Sequence, residues 1–268
     1  MKKILSSLSA LLVLFALAGC SGKANIADKT ITIGATPVPH AEILEAVRAV
    51  VEARGYELEI VVFTDYVLPD DALAAGELDA NFFQHVPYLN SYNAAHGTSL
   101  VSAGAIHFEP LGLYAGTEDD LSAIPSGSSV AVPNDASNLA RALLLLEANG
   151  LIGLADGAGL SATVLDIVSN PFGLEIVELE AAAIPSRLED VAFAVINGNY
   201  AIEAGVTDRL LVSEAVDSAA ADLYANIIAV RAGTENAEAI AVLLEALRTQ
   251  AVRDFIAASY GVSVVPVF

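Results

Sequence analysis

The pattern that most constrains the fold is a strand, a helix and a second strand that follow one another early in the chain. Thr30–Ala35 alternates apolar and polar residues with period two, which predicts a strand. Apolar residues then recur at helical spacing from Ile43 to Val51, and Gly55 supplies a helix stop. Residues 58–63 (LEIVVF) are almost continuously apolar, which is typical of a strand buried on both faces. This order predicts an α/β protein in which helices cover a parallel sheet.

The same kind of pattern returns in the second half of the chain. Residues 130–133 predict a strand, and a turn leads from it into the helical run LARALLLLEANG, with Asp135 or Ser137 as the N-cap. Residues 191–196 predict another strand, which ends at an Asn-Gly-Asn-Tyr turn. Residues 186–189 match the capping-box spacing and predict the start of a short helix.

Two extended segments predict that the chain divides into two lobes. Residues 101–114 form a long extended run interrupted by Glu109 and Pro110, and we interpret it as a crossing between lobes. Residues 227–230 are a short apolar run that we interpret as the return crossing. The predicted lobes are residues 30–112 plus 227–268, and residues 113–226.

The N-terminus predicts an exported, lipid-anchored protein. Residues 1–19 have the basic start and short apolar core of a secretory signal peptide, too short to span a bilayer as a helix. The sequence LAGC that ends at Cys20 resembles the lipobox of bacterial lipoproteins, in which the cysteine becomes the first mature residue and carries lipid. Cys20 is the only cysteine, so no intramolecular disulfide is possible. We predict a lipidated Cys20, a linker over residues 20–29 and a domain tethered outside the cytoplasm, in the periplasm or on the outer cell surface.

Charge and motifs exclude several classes of function. The net charge of −21 argues against binding to nucleic acid and against electrostatic adhesion to anionic lipid. The dinucleotide pattern at residues 157–162 follows a predicted helix rather than a strand, so we expect no cofactor there. The chain contains no G-x-S-x-G, H-E-x-x-H or P-loop motif. The four histidines, His40, His85, His96 and His107, lack metal-ligand spacing, so no metal site is predicted.

Aromatic side chains concentrate in one stretch, residues 65–89, although they make up only 6% of the protein. The stretch contains Tyr66, Phe82, Phe83, His85 and Tyr88. We interpret it as the wall of a small-molecule pocket, and the alternative is an aromatic patch of core. Because strand residues alternate between faces, we assign Phe82 to the core and Phe83 to the pocket.

Polar residues after predicted strands or at helix starts suggest the other half of a site. They are Asn138, Arg141, Asn197 and Asn226. An arginine near a helix N-terminus can clamp a carboxylate, and asparagine oxygens can accept hydrogen bonds from an ammonium group. These groups suit a zwitterionic ligand. The alternative role of Arg141 is a surface ion pair with Glu147 or Asp135.

Four blocks of sequence carry a resemblance to a known family. They are GATPVPHAEILE, DYVLPDDALAAGELDANFFQHVPYL, VAVPNDASNLARALLLL and FAVINGNYA. They resemble the NlpA family of substrate-binding lipoproteins, the methionine-binding components of ABC importers. The resemblance implies a two-lobed, type II-like periplasmic-binding-protein fold that closes on L-methionine and delivers it to a membrane permease with its cytoplasmic ATPase.

The resemblance also implies roles for the candidate residues. Four of them would enclose the methionine side chain: Tyr66, Phe83, His85 and Tyr88. Arg141 would bind the carboxylate, and the polar contacts to the amino acid would come from Asn138, Asn197 and Asn226. It implies a binding protein rather than an enzyme.

Other functions stay open on the sequence. The ligand could be D-methionine, another amino acid or a methionine-containing dipeptide. An enzyme would use His85 with Glu109 or Asp65, although no motif places a nucleophile beside them. A lipoprotein with an adhesive or structural role is the third alternative.

Overall fold

The computed structural model describes residues 29–216 and 219–268. The predicted signal peptide, Cys20 and the linker up to residue 28 lie outside the described residues. Over the described ranges, the helices are too short or too polar to cross a lipid bilayer.

The described chain alternates strands and helices. The strands are β1 (Thr30–Ala35), β2 (Glu57–Val62), β3 (Ala80–His85), β4 (Leu100–Phe108), β5 (Gly112–Ala115), β6 (Ser129–Pro133), β7 (Gly153–Leu154), β8 (Ile167–Ser169), β9 (Glu175–Leu179), β10 (Phe193–Ile196), β11 (Leu210–Ser213), β12 (Asn226–Arg231) and β13 (Val265–Pro266). The α-helices are α1 (Glu42–Ala53), α2 (Leu68–Ala75), α3 (Val86–His96), α4 (Ala136–Ala148), α5 (Gly198–Glu203), α6 (Ala219–Leu223), α7 (Glu238–Leu247) and α8 (Gln250–Tyr260). Short helical turns cover Pro37–Ala41, Gly159–Ser161, Val164–Asp166, Ala181–Arg187, Thr207–Arg209 and Gly261–Ser263.

A six-stranded sheet contains both ends of the described chain. Its order is β13-β4-β12-β3-β1-β2; β1, β2 and β3 run parallel, and β12 pairs antiparallel with β3 and β4. Apolar residues of α1, α7 and α8 pack on one face around Phe82, and those of α2 and α3 pack on the other around Phe83. The strand, helix, strand pattern that begins at Thr30 therefore forms a parallel sheet covered on both faces, as predicted.

The second sheet has five strands. Its order is β11-β5-β10-β6-β9, with β6 parallel to β9 and β10, and β5 antiparallel to β10. The inward face of α4 packs on one side of this sheet. Ala181–Arg187 and Tyr200 pack on the other side.

The chain passes between the sheets twice, after β4 and before β12. Each sheet has its own buried apolar clusters, so the predicted two-lobed α/β architecture is confirmed. The helix start predicted at residues 186–189 is wrong. The helical turn instead precedes that motif and ends at Arg187, and the Ser186 hydroxyl donates back to the carbonyl of Ala183 at 2.7 Å. Ser186 therefore satisfies the end of one turn and is not available to cap the next.

Candidate ligand-binding site

A narrow cavity is lined by residues of both sheets and of the segments next to them. All eight residues predicted from the sequence line it: Tyr66, Phe83, His85, Tyr88, Asn138, Arg141, Asn197 and Asn226. Its other lining residues are Gln84, Glu109, Gly198 and Asn199.

Tyr66, Phe83, His85 and Tyr88 form one side of the cavity, which we call the aromatic wall. The ring of Tyr66 stacks on Phe83 with centroids 5.6 Å apart, and Tyr88 meets Phe83 edge to face at 5.8 Å. The Tyr88 hydroxyl donates to the Tyr66 carbonyl at 3.1 Å, which ties the two ends of the wall together. Edge-to-face and offset ring pairs are the favoured aromatic arrangements. The wall is therefore a preformed, mostly apolar surface.

A shift of strand pairing lets three consecutive residues of β3 reach the cavity. β3 pairs with β12 through Gln84 opposite Ile227 and Phe82 opposite Ile228, so Phe83 is the extra residue of a bulge. A bulge interrupts the alternation of side chains between faces. Phe83, Gln84 and His85 all line the cavity as a result. Phe82 is fully buried in the core on the other face, as predicted.

His85 is held as a neutral ring at the start of α3. Its Nδ1 accepts the Tyr88 backbone N–H at 3.2 Å, so its Nε2 carries the proton and donates to Asn138 Oδ1 at 3.3 Å. Burial and then the charge of Arg141 lower the pKa of His85 to about 3. The imidazole is therefore uncharged at physiological pH and suits a wall around an apolar group.

The asparagines opposite the aromatic wall are oriented by a chain of hydrogen bonds. Asp135 is the N-cap of α4, and its carboxylate accepts both the backbone N–H and the side-chain amide of Asn138, at 2.9 and 3.0 Å. The Asn138 oxygen must then face the cavity, where it accepts from His85 and from Asn197 Nδ2 at 3.0 Å. This arrangement leaves Asn197 Oδ1 as a buried acceptor with no hydrogen-bond partner in the described part of the chain.

Arg141 is buried between the two chain crossings. It is only 4% exposed, and its guanidinium forms a bidentate ion pair with Glu214. Its Nη2 also donates to the backbone carbonyl of Glu109 at 2.9 Å. The rings of Tyr224 and Phe108 lie 4.3 and 5.6 Å from the guanidinium carbon. Contacts of this kind fix the plane of the guanidinium.

The alternative role of Arg141, a surface ion pair with Glu147 or Asp135, is wrong. Glu147 accepts the backbone N–H of Leu154 near the other end of α4, and Asp135 caps the helix. The ion pair that does form is with Glu214. It leaves Nη1 of Arg141, whose side chain lines the cavity, without a hydrogen bond to any described residue.

Several lining residues were not among the predicted binding residues. Glu109 is 5% exposed and follows β4, where the sequence shows only an interruption before Pro110. Asn199 accepts the Tyr66 hydroxyl at 2.6 Å, and its amide nitrogen has no partner within the described ranges. Gln84 Oε1 is likewise unpaired there. These unpaired donors and acceptors are polar positions for a ligand, because buried polar atoms are normally hydrogen-bonded.

A buried group of two histidines and a carboxylate adjoins the cavity. Nε2 of His107 and of His40 lie 2.7 and 3.3 Å from the same oxygen of Glu109, and the three ligand-type atoms lie within 4.8 Å of one another. The 2.7 Å separation is that of a charge-assisted hydrogen bond, so we interpret the group as a hydrogen-bonded carboxylate rather than a set of metal ligands.

The pairings that an enzyme would need are not formed. The His85 ring bonds to Asn138 and to the Tyr88 backbone, whereas Glu109 bonds to His107. Asp65 accepts the backbone N–H groups of Val67 and Leu68 at the start of α2. No acid–base pair therefore forms around His85 in the described residues.

Comparison with known proteins agrees with this geometry. The model of the NlpA lipoprotein family matches residues 31–268. The methionine-binding lipoprotein MetQ of Bacillus subtilis (strain 168) is 39% identical over 277 aligned positions, which cover 100% of this chain and 99% of that protein. The structure of a nutrient binding protein from Burkholderia cenocepacia bound to methionine is 42% identical, with a TM-score of 0.84 and coverage of 89% and 100%. A lipoprotein structure from Ruminococcus gnavus ATCC 29149 is 51% identical, with a TM-score of 0.88 and coverage of 90% and 100%.

Proposed function

Because this chain belongs to the NlpA lipoprotein family, we propose that it is an extracytoplasmic substrate-binding protein that captures L-methionine for an ABC importer. The observation that carries the proposal is the composition of its cavity, where an aromatic wall faces buried, unpaired polar groups. The similar nutrient binding protein from Burkholderia cenocepacia has methionine bound in its structure, which supports the same ligand. It acts as a binding protein and not as an enzyme.

The aromatic wall would receive the methionine side chain. A flexible, unbranched thioether gains about 0.3 to 1.5 kcal/mol from each sulfur–aromatic contact, so several rings are needed to hold it. Tyr66, Phe83 and Tyr88 supply such rings, and the neutral imidazole of His85 adds a fourth surface without a charge.

Arg141 would bind the ligand carboxylate. Its Nη1 is available, and the positive end of the α4 dipole lies on the same side of the cavity. Asn226 Oδ1 contacts His40 Nε2 at 3.0 Å, so the Asn226 amide nitrogen would donate to the same carboxylate. The unpaired oxygen of Asn197 would accept from the ligand ammonium group, while Asn138 orients Asn197 and His85.

Capture would proceed by closure of two lobes. We propose the lobes as residues 30–112 plus 227–268, and residues 113–226, with the crossings on either side of Arg141 acting as the hinge. Closure buries the ligand and gives the permease a shape that reports occupancy. The permease with its cytoplasmic ATPase is the proposed partner. After removal of the signal peptide (residues 1–19), lipid on Cys20 would anchor the protein outside the cytoplasm.

A thermal-shift screen of the purified protein tests this function. The panel contains the twenty L-amino acids, D-methionine and a methionine-containing dipeptide, followed by calorimetry on every compound that stabilises. At equal concentrations, the compound with the lowest Kd stabilises the protein most, by about 2.7 kcal/mol when it is present at one hundred times its Kd. We therefore expect L-methionine to give the largest shift. A larger shift with another compound would identify that compound, rather than L-methionine, as the ligand. No shift with any compound would favour an adhesive or structural role.

A further inference from the structure

Glu109 lines the cavity, yet none of the roles proposed above uses its carboxylate. It lies in the first crossing, immediately after β4, and is 5% exposed. One carboxylate oxygen accepts a hydrogen bond from Nε2 of His107 at 2.7 Å. Nε2 of His40 lies 3.3 Å from the same oxygen, but its hydrogen bond is to Asn226 Oδ1 at 3.0 Å. The backbone N–H of Asn199 donates to the same carboxylate. A buried carboxylate held by His107 and by the Asn199 backbone has a fixed position.

The two histidines lie beside this carboxylate without neutralising it. Both are fully buried, and burial lowers the pKa of His40 to about 4 and that of His107 to about 3. The Thr36 hydroxyl lies 2.7 Å from His40 Nδ1, and His40 Nε2 bonds to Asn226 Oδ1 at 3.0 Å. His107 therefore donates to Glu109 as a neutral ring, and His40 bonds to Asn226, so the two histidines supply no cationic partner for the Glu109 carboxylate.

Burial raises the pKa of Glu109, and the neighbouring His40 and Arg141 lower it by less. The guanidinium of Arg141 is paired with Glu214, and its contact to Glu109 is made to the backbone carbonyl, at 2.9 Å. That contact also places the carboxylate of Glu109 close to the group that would bind a ligand carboxylate. An α-amino acid carries its ammonium and its carboxylate on the same carbon. The two groups can therefore face the neighbouring carboxyl of Glu109 and guanidinium of Arg141.

Resting on the proposed function, we propose that Glu109 binds the α-ammonium group of the ligand and thereby restricts the site to amino acids with a free amine. His107 is a positioning residue that holds its carboxylate. Gly198 belongs to the same arrangement, because a Cβ there would lie 2.8 Å from Cβ and 3.0 Å from Oε2 of Glu109. A buried carboxylate favours an ammonium group strongly over a neutral hydroxyl or amide, since only the ammonium removes an uncompensated charge.

The test compares L-methionine with its hydroxy analogue, 2-hydroxy-4-(methylthio)butanoate, which keeps the thioether and the carboxylate but replaces the ammonium with a hydroxyl. Displacement titrations give the affinity ratio of the two compounds for the wild type, Glu109→Gln and the control Glu238→Gln, an exposed glutamate at the start of α7. We expect Glu109→Gln to lower the ratio at least tenfold and Glu238→Gln to leave it unchanged. Equal losses for both compounds in Glu109→Gln would overturn the assignment.

Variants of His107 keep the test decisive if Glu109→Gln does not fold. His107→Leu leaves the charge of Glu109 in place but removes the hydrogen bond from His107, and we expect a smaller fall in the ratio. His107→Gln retains a donor and should restore it. An unchanged ratio in His107→Leu would count against the assignment. Loss of methionine binding after treatment with EDTA would mean that Glu109 and the histidines hold a metal ion instead, which also overturns it. A wild type that does not bind methionine refutes the proposed function itself, separately from the role of Glu109.

Discussion

The two sides of the cavity are built in opposite ways. The aromatic wall comes from one stretch of about two dozen residues, and its rings contact one another through apolar edges and faces. The opposite side, which we call the polar wall, consists of Asn138, Arg141 and Asn197, brought together from α4 and the end of β10. These side chains are fixed by hydrogen bonds and by an ion pair with Glu214.

This difference separates two tasks in binding an amino acid. Polar groups that are oriented before the ligand arrives lose little entropy on binding, so the polar wall suits the constant part, the carboxylate and the ammonium. Aromatic surfaces discriminate weakly among apolar side chains of similar size. We therefore expect changes in the polar wall to alter affinity for every ligand, and changes in the aromatic wall to alter the choice of side chain.

Arg141→Ala should have the largest effect. It removes the cation that would bind the ligand carboxylate and leaves Glu214 without its partner. The expected loss of methionine affinity is on the order of 2 to 5 kcal/mol, measured by calorimetry. Arg187→Ala is the matched control, because Arg187 forms an exposed ion pair with Asp190. A loss of less than tenfold would place the carboxylate elsewhere.

Asp70→Asn tests the ionisation of a carboxyl group that is buried behind the aromatic wall. Asp70 Oδ1 accepts from Gln84 at 2.6 Å and from Asn81 at 2.7 Å, and burial raises the pKa of Asp70 to about 7. A carboxyl whose pKa is higher in the folded protein stabilises it fully below its unfolded pKa, near 4, and this stabilisation is lost as the pH rises through 7.

Between those pH values, the stability of the wild type should therefore fall relative to Asp70→Asn by about 1.4 kcal/mol per pH unit. Urea denaturation of both proteins from pH 4 to pH 8 measures the difference. Asp156→Asn, at an exposed aspartate, should give a difference that does not vary with pH. The same flat result for Asp70→Asn would show that Asp70 is ionised throughout.

Tyr66→Phe breaks the hydrogen bond that joins the aromatic wall to the opposite lobe. The Tyr66 hydroxyl donates to Asn199 Oδ1 at 2.6 Å, and a typical hydrogen bond contributes about 1 kcal/mol. We expect a roughly fivefold loss of methionine affinity, with the ring contacts kept. Tyr56→Phe, just before β2, is the control. Unchanged affinity would mean that this contact does not help the lobes close.

Phe83→Leu should have the smallest effect, and one on selectivity only. Sulfur–aromatic contacts contribute about 0.3 to 1.5 kcal/mol each. The wild type should prefer methionine over norleucine by an amount in that range, and Phe83→Leu should reduce the preference. Competition titrations of the two ligands measure it, with Phe172→Leu in the five-stranded-sheet lobe as the control. An equal loss for both ligands would show that Phe83 contributes bulk alone.

The sequence identified most of the cavity, because its residues stand at positions that local rules mark. Phe83 and Tyr88 fall in an aromatic cluster, and Asn138 and Asn197 follow predicted strands. Gln84 was not predicted to line the cavity, because regular strand alternation would place its side chain on the other face of the sheet. The bulge at Phe83 interrupts that alternation. Local patterns also give no sign of which distant residue meets Arg141, since its partner Glu214 lies 73 positions along the chain.

The contiguity of the aromatic wall has a consequence for the evolution of this family. All four of its rings belong to one uninterrupted segment, residues 66–88, which contains neither Arg141, the residue proposed to bind the carboxylate, nor the residues that hold Arg141 in place. A gene conversion or a few clustered mutations in about seventy nucleotides can therefore replace the surface that meets the side chain. The anchoring chemistry is inherited unchanged, so a duplicated copy retains recognition of an amino acid while it acquires a new preference.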